Sequence, residues 1–109
     1  MLKVRSEHKQ QDGFVHAGVI ATMADHTAGY SLYTVVAENI RVLTIEFKIN
    51  YFKPALGEIL ICKSKVVNLG KNISVAESEL FMIEGSKETQ ISKAIVTLAM
   101  VPETKIISS

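Results

Sequence analysis

Cysteine is nearly absent from the 109-residue sequence: Cys62 stands alone, so no disulfide can form within one chain. This usage is typical of a reducing compartment. No apolar run approaches the roughly 18 residues that a membrane-spanning helix needs, and residues 1–10 lack the apolar core of a signal peptide. These absences predict a soluble, cytoplasmic protein without a membrane partner.

The sequence also has little net charge, because 12 basic and 11 acidic residues leave a formal charge of +1. Such a chain has no general attraction for nucleic acid, and it lacks the interleaved aromatic and basic residues that stack single-stranded bases. No phosphate-loop or dinucleotide-binding motif is present. The composition is that of an ordinary globular protein, and the length predicts a single domain over residues 1–109.

The hydrophobic periodicity predicts one long helix and several strands. Small and apolar residues without proline predict a helix over about residues 17–36. A short strand is predicted for residues 2–6. From residue 40 onward the period changes from 3.6 to 2, which predicts four long strands. In the first of these the odd positions 43–51 are apolar and are predicted to share one buried face.

The connections between the strands are short and contain turn residues. Gly70 is predicted to be a hairpin glycine, and such tight turns join antiparallel neighbours. In the last strand, Ser92, Met100 and the alternate residues between them are predicted to face the helix. The fold class is therefore α+β, with one long helix against an antiparallel sheet. The other sheet face still carries apolar residues, so a dimer or a dimer of dimers is expected to cover them.

Asp25 is the most informative polar residue, because an unpaired carboxylate is costly to bury in an apolar helix. One interpretation places Asp25 on an exposed face without a function. The other notes that Gly18, Ala21 and Thr22 share its face of the helix. Small neighbours leave room for a ligand beside the carboxylate, which makes Asp25 a candidate catalytic residue.

The predicted start of the helix is a second candidate element. Free backbone N–H groups collect at His16-Ala17-Gly18, where the helix dipole also favours negative charge. Such a site can bind an oxyanion, although glycine there could simply permit tight packing. Asp25 lies roughly 10–12 Å further along the helix axis, too far to act with Ala17 on one carbonyl. If the two cooperate, they belong to different subunits.

The remaining polar residues carry weaker signals. His8, His16 and His26 lack a His-x-x-x-His pair, and His26 points about 100° away from Asp25 on the helix, so no metal site is predicted. Cys62 lies in the middle of a predicted strand and is expected to be inert. Lys71 could reach a phosphate, but a surface lysine is the simpler interpretation.

The segment "QQDGFVHAGVIATMADHTAGY" resembles the signature of hotdog-fold thioesterases of the phenylacetate-degradation (PaaI-like) group. His16-Ala17-Gly18 occupies the place of the family's His-Gly-Gly, and Asp25 keeps the spacing of seven residues after the last glycine. The segment "LTIEFKINYFKPALGE" resembles the family's central strand, including its Pro-Ala ending. The order of the strands also matches, so the resemblance covers nearly the whole chain.

The resemblance implies a long helix wrapped by a curved antiparallel sheet of about five strands. It also implies hydrolysis of acyl-coenzyme A thioesters at sites between the subunits of homodimers, which usually pair into homotetramers. By position, Asp25 matches the catalytic carboxylate, which acts as a general base or as a nucleophile. Ala17 matches the residue whose backbone N–H binds the thioester oxygen. Gln10 matches the polar residue that helps to place water or the carbonyl.

The resemblance further places His16, Gly18 and Thr44 beside the substrate. Coenzyme A enters as part of the substrate, and no separate cofactor or metal is implied. Ala17 departs from the family's glycine, but it keeps the backbone donor and adds only a methyl group. Two alternatives stay open at this point: a non-catalytic acyl-CoA-binding protein, and a hydratase or dehydratase on the same fold.

Overall fold

The computed structural model describes residues 1–9 and 15–102. In chain order the regular elements are β1 (Leu2–Lys3), a 3₁₀ helix (Ser6–His8), α1 (Ala17–Tyr33), β2 (Ile40–Tyr51), β3 (Ile59–Asn68), β4 (Ile73–Glu84) and β5 (Lys87–Pro102). The strand predicted for residues 2–6 is reduced to two residues. Within the described residues, no helix is long and apolar enough to cross a membrane.

The helix ends at Tyr33, three residues before the predicted boundary. Thr34 donates a side-chain hydrogen bond of 2.6 Å to the carbonyl oxygen of Ser31, and it is followed by two valines. Side chains branched at Cβ lose rotamer freedom in a helix, which lowers their helix propensity. The last turn of the predicted helix is therefore not helical and belongs to the connection that leads into β2.

The five strands form one antiparallel sheet in the order β1-β3-β4-β5-β2, which confirms the predicted α+β class. A two-residue turn joins β4 to β5, and Gly85 adopts φ +61° there, a conformation that glycine reaches without steric cost. At Gly70, a Cβ atom would collide with the carbonyl oxygen of Ile73. Both glycines therefore permit the tight connections that were predicted from the sequence.

The helix packs on the inner face of the sheet through a narrow apolar stripe. Ile20, Ala24, Ala28 and Leu32 are buried and recur at every fourth position, so they lie on one side of α1. The alternate residues of β5 from Ser92 to Met100 are also buried, as the sequence predicted. Alanines on both sides of this contact let the helix and the sheet approach closely.

A β-bulge in β2 corrects the predicted alternation of that strand. The register shifts between Thr44 and Glu46, which leaves Ile45 without a partner on β5. Thr44 lies opposite buried Leu98, and Phe47 lies opposite buried Val96. Because directly paired residues lie on the same face, both belong to the inner face. The extra residue therefore changes which positions of β2 face inward: even-numbered positions before the bulge and odd-numbered positions after it.

The prediction that the odd positions 43–51 share one face is consequently wrong for the first of them, Leu43. Phe47 and Tyr51 lie on the inner face as expected, because their β5 partners are buried. Leu43 lies opposite Ala99 on the outer face, half exposed, and Thr44 takes the inner position instead. The polar Thr44, rather than its apolar neighbour Leu43, therefore faces the helix.

The outer face of the sheet combines ion pairs with exposed apolar residues. Glu77 on β4 lies 3.2 Å from the ammonium group of Lys65 and 3.5 Å from that of Lys93. The hydrogen bond from Lys65 and the nearby charge of Lys93 lower the pKa of Glu77, although partial burial opposes them. Ile73 and Ile95 are exposed on the same face. Apolar residues thus remain on this face, as the sequence analysis expected.

Candidate active site

Asp25 and Thr44 form the centre of the candidate site. Asp25 lies in the middle of α1, and Thr44 faces it from β2, because the bulge has turned this threonine inward. The hydroxyl of Thr44 donates a hydrogen bond of 2.6 Å to Oδ1 of Asp25. Short O–H···O⁻ bonds of this kind are among the strong hydrogen bonds in proteins. The other carboxylate oxygen of Asp25, Oδ2, has no hydrogen-bond donor among the described residues.

Asp25 is half-buried and lines an open groove between α1 and β2. The groove has a volume of about 280 Å³, and its other lining residues are His26, Gly29, Tyr30, Tyr33, Val42 and Thr44. Within the described part of the chain, no lysine, arginine or histidine lies within ion-pair distance of Asp25. The carboxylate therefore stays available to a molecule in the groove, in contrast to a carboxylate neutralised by fixed cations.

A larger groove adjoins the first one on the exposed side of the helix. Its volume is about 620 Å³, and both grooves include His26 and Tyr30. Val19 and Met23 contribute apolar surface to the larger groove, and Gly18 lies at its end. A Cβ atom on Gly18 would meet no neighbouring atom within 4 Å, so this end of the groove is open. An acyl chain or an aromatic ring could occupy such a space next to Asp25.

The helix begins at Ala17, as predicted, with His16 as its N-cap residue. The carbonyl oxygen of His16 accepts hydrogen bonds from the N–H groups of Val19 and Ile20, at 3.1 Å and 3.3 Å. Among residues 1–9 and 15–102, neither Ala17 N–H nor Gly18 N–H has an acceptor. Both residues are exposed. Two free donors at the positive end of the helix dipole can bind a partial negative charge.

Two tyrosines that the sequence analysis missed fix the ends of the helix to β2. The hydroxyl of Tyr51 donates a hydrogen bond of 3.2 Å to the carbonyl oxygen of Ala17. At the other end, the hydroxyl of Tyr33 accepts a bond of 2.9 Å from the N–H of Val42. Neither tyrosine has a local motif that would reveal this role. The apolar alternation indicated only that Tyr51 faces inward.

The structure therefore brings together some of the predicted site residues and not others. Asp25 and Thr44 are in direct contact, whereas Ala17 begins the same helix roughly 12 Å away along its axis. One chain cannot present both the Ala17 N–H and the Asp25 carboxylate to one carbonyl group. Gln10 lies outside the described residues, so its predicted role stays a prediction.

The histidines show no grouping typical of a metal centre. Nδ1 of His8 accepts a hydrogen bond of 3.0 Å from the N–H of Arg5, and His16 caps the helix through its backbone. Across the described residues, no three histidine, cysteine, aspartate or glutamate side chains are arranged to hold a metal ion. Among the described residues, the groove thus presents the Asp25 carboxylate and the Thr44 hydroxyl, and the free backbone N–H groups lie at the start of the helix.

Comparison with known proteins identifies the family of the chain. The family model of the thioesterase superfamily matches residues 12–89. A Halobacterium salinarum protein with a provisional designation as an esterase is 32% identical over 74 residues, which are 66% of this chain and 48% of the relative. The chain thus spans about half the length of that curated relative.

Solved structures share the fold over almost the whole chain. A thioesterase family protein from Silicibacter pomeroyi is 32% identical with a TM-score of 0.90, over 93% of this chain and 74% of that one. A Bacillus halodurans protein crystallised with CoA is 21% identical with a TM-score of 0.85, over 92% of this chain and 68% of that one. The predicted hotdog arrangement, a helix wrapped by a curved five-stranded antiparallel sheet, is confirmed by this match.

Proposed function

Because the chain belongs to the thioesterase superfamily, we propose that it is an acyl-CoA thioesterase. It hydrolyses a small or medium aryl or alkyl acyl-CoA to the free acid and coenzyme A. The observation that carries this proposal is the Asp25 carboxylate, held by Thr44 on an open groove and without a fixed cation among the described residues. The proposal includes the PaaI-like group and a cytoplasmic site of action, and coenzyme A enters only as part of the substrate.

In the proposed reaction, Oδ2 of Asp25 accepts a proton from a water molecule. The water oxygen then forms a bond to the thioester carbonyl carbon, and the oxygen of that carbonyl becomes negative. Collapse of this intermediate breaks the C–S bond, and the proton passes to the departing thiolate. Thr44 keeps Oδ1 occupied, so that Oδ2 faces the reacting water. Direct attack by the carboxylate, followed by hydrolysis of the anhydride, gives the same products and remains the alternative path.

The negative carbonyl oxygen needs donors within about 3 Å, and we assign this role to the N–H of Ala17. Ala17 and Asp25 of one chain are roughly 12 Å apart along the helix, so the Ala17 that serves a given Asp25 comes from a second subunit. Support for a homodimer comes from β2, whose outer edge has no partner strand among the described residues. Its exposed apolar side chains include Ile45 and Tyr51, each about half exposed.

Three further observations support the finer parts of the proposal. The exposed Leu43, Ile73 and Ile95 on the outer sheet face offer apolar surface for pairing two dimers into a homotetramer. The groove beside Val19 and Met23 offers apolar surface for the acyl group. The Bacillus halodurans protein of the same fold was crystallised with CoA, which supports acyl-CoA as the class of substrate.

The proposal is tested by measuring thioester hydrolysis with a thiol-trapping reagent over a panel of aryl-CoA and alkyl-CoA substrates. We expect release of CoA from at least one substrate, by a protein that elutes as a dimer or tetramer in size-exclusion chromatography with light scattering. Binding of acyl-CoA without turnover across the whole panel would instead indicate the non-catalytic binding protein. Hydration of enoyl-CoA without thioester cleavage would indicate a hydratase.

A further inference from the structure

Ser78 is a buried polar residue that the proposed chemistry does not use. It lies in the middle of β4, on the inner face of the sheet, and its side chain is completely buried. Its hydroxyl donates a hydrogen bond of 2.7 Å to the carbonyl oxygen of Ala24 in α1. A buried hydroxyl is unfavourable unless it is hydrogen-bonded, and alanine would occupy almost the same space. Packing alone therefore gives no reason for a serine here.

The bonded carbonyl belongs to the peptide group that joins Ala24 to Asp25. Because the six atoms of a peptide unit are held in one plane, a bond to the Ala24 oxygen also restricts the position of the Asp25 Cα. The hydroxyl of Thr44 restrains the other end of the same residue, at Oδ1. Asp25 is thus held at its backbone from β4 and at its carboxylate from β2.

The Ser78 hydroxyl is itself held in place by its neighbours on β3. Ser64 lies directly opposite Ser78, with 2.6 Å between the two hydroxyl oxygens. Ser78 has a single proton, which it gives to the Ala24 carbonyl, so Ser64 must donate to Ser78. By the same reasoning, the thiol of Cys62, 3.8 Å from the Ser64 oxygen, is the donor to Ser64. The chain of bonds has one direction, from β3 through β4 to the helix.

We propose that Ser78 is a positioning residue for Asp25: its hydroxyl ties the Ala24–Asp25 peptide to the centre of the sheet and keeps the carboxylate in its reactive place. This inference rests on the proposed function, since it concerns the rate of the step that Asp25 assists. β4 is bonded on both sides, by β3 and β5, so it gives a firmer support than an edge strand. Small displacements of a catalytic group are expensive in rate.

The test compares Ser78→Ala with two matched variants, Ser74→Ala and Ser92→Ala. All three serines are buried, and each hydroxyl has a hydrogen-bond acceptor, Met100 Sδ for Ser74 and the Asn50 carbonyl for Ser92. Neither of these two hydrogen bonds goes to the helix. We expect Ser78→Ala to lower kcat about tenfold with KM changed less than about twofold. Both controls should keep kcat within about twofold of the unmodified protein, at melting temperatures similar to that of Ser78→Ala.

Ser64→Ala provides a second variant, because it removes the neighbour of Ser78 but leaves the bond to Ala24. We expect it to retain most of kcat. Equal kcat in Ser78→Ala and in the unmodified protein would overturn the inference, as would an equal loss of kcat in all three buried-serine variants. Asp25→Asn separates the proposals: full activity in that variant contradicts the role of Asp25 and this inference together, whereas no hydrolysis by the unmodified protein contradicts the proposed function. An inactive Asp25→Asn beside a fully active Ser78→Ala contradicts this inference alone.

Discussion

Asp25 and Glu77 are both half-buried carboxylates, but they lie on opposite sides of the sheet and are held in opposite ways. Glu77 is neutralised by two lysines on neighbouring strands. Asp25 accepts a hydrogen bond from the neutral hydroxyl of Thr44 and lines an open groove. A carboxylate enclosed by cations stabilises the fold, whereas one that is oriented but left with a free oxygen is suited to chemistry.

Asp25→Asn should have the largest effect of any single change. Asparagine keeps the shape of the side chain and can still accept the hydrogen bond from Thr44, but it cannot take a proton from water. We therefore expect kcat to fall about a hundredfold or more, which is the usual contribution of a general base. Steady-state thioester hydrolysis measures the loss, and size-exclusion chromatography checks the assembly. If the variant hydrolysed thioesters at the original rate, Asp25 would belong with Glu77 as a structural carboxylate.

Ala17→Pro tests the donor that the proposal pairs with Asp25. Proline is well tolerated at the first position of a helix, and His16 already has the extended conformation that proline requires of its predecessor, with ψ 138°. The substitution therefore removes the N–H with little disturbance of the fold, and kcat should fall about a hundredfold. Ala17→Gly is the matched control, because it keeps the N–H and should keep the activity. Equal rates in the two variants would exclude this N–H from the reaction.

Thr44→Ala should have a smaller effect, because it leaves the Asp25 carboxylate in place but removes the only hydrogen bond that Oδ1 accepts from the described residues. We expect kcat to fall about tenfold, from the loss of orientation. Thr44→Ser retains the hydroxyl and should recover most of the rate. An alanine variant as active as the serine variant would show that Asp25 is positioned without this bond.

Glu77→Gln should have the smallest effect and should act on stability alone. The lowered pKa of Glu77 means that its carboxylate stabilises the folded state at pH values above its ordinary value of 4.5 and that this contribution is lost as the pH falls through the lowered value. At pH 7 the melting temperature should drop by about 2–4 °C. The difference in melting temperature between the variant and the unmodified protein should vanish in acid, and kcat should not change. A large loss of activity would break the contrast between the two carboxylates.

The fold was predictable because its signals are periodic. The change from a 3.6-residue to a 2-residue period separates α1 from the strands, and the alternation in β5 identified the buried residues between Ser92 and Met100. Asp25 was also visible, since a carboxylate within an apolar helix stands out. Its role still rests on the proposed reaction, and that of Gln10 stays a prediction.

The contacts around Asp25 were less predictable, because they depend on tertiary geometry. The bulge that turns Thr44 inward leaves no mark in the alternation of β2, where the odd positions from 43 to 51 are all apolar. Ser78 is only one of several small polar residues on the strands, and its bond to Ala24 spans 54 positions. A hydrogen bond between such distant residues requires the packed helix and sheet before it can be recognised.

The bulge at Ile45 also has a consequence for how the gene can change. Removing this one codon would restore simple alternation and leave Thr44 on the inner face, because the β5 partners of Thr44, Glu46 and Phe47 are already consecutive. If Ile45 were kept but paired regularly with β5, the first half of β2 would exchange its two faces and Thr44 would turn outward. The groove beside Asp25 should therefore tolerate the loss of this residue better than a change that keeps the residue and straightens the strand.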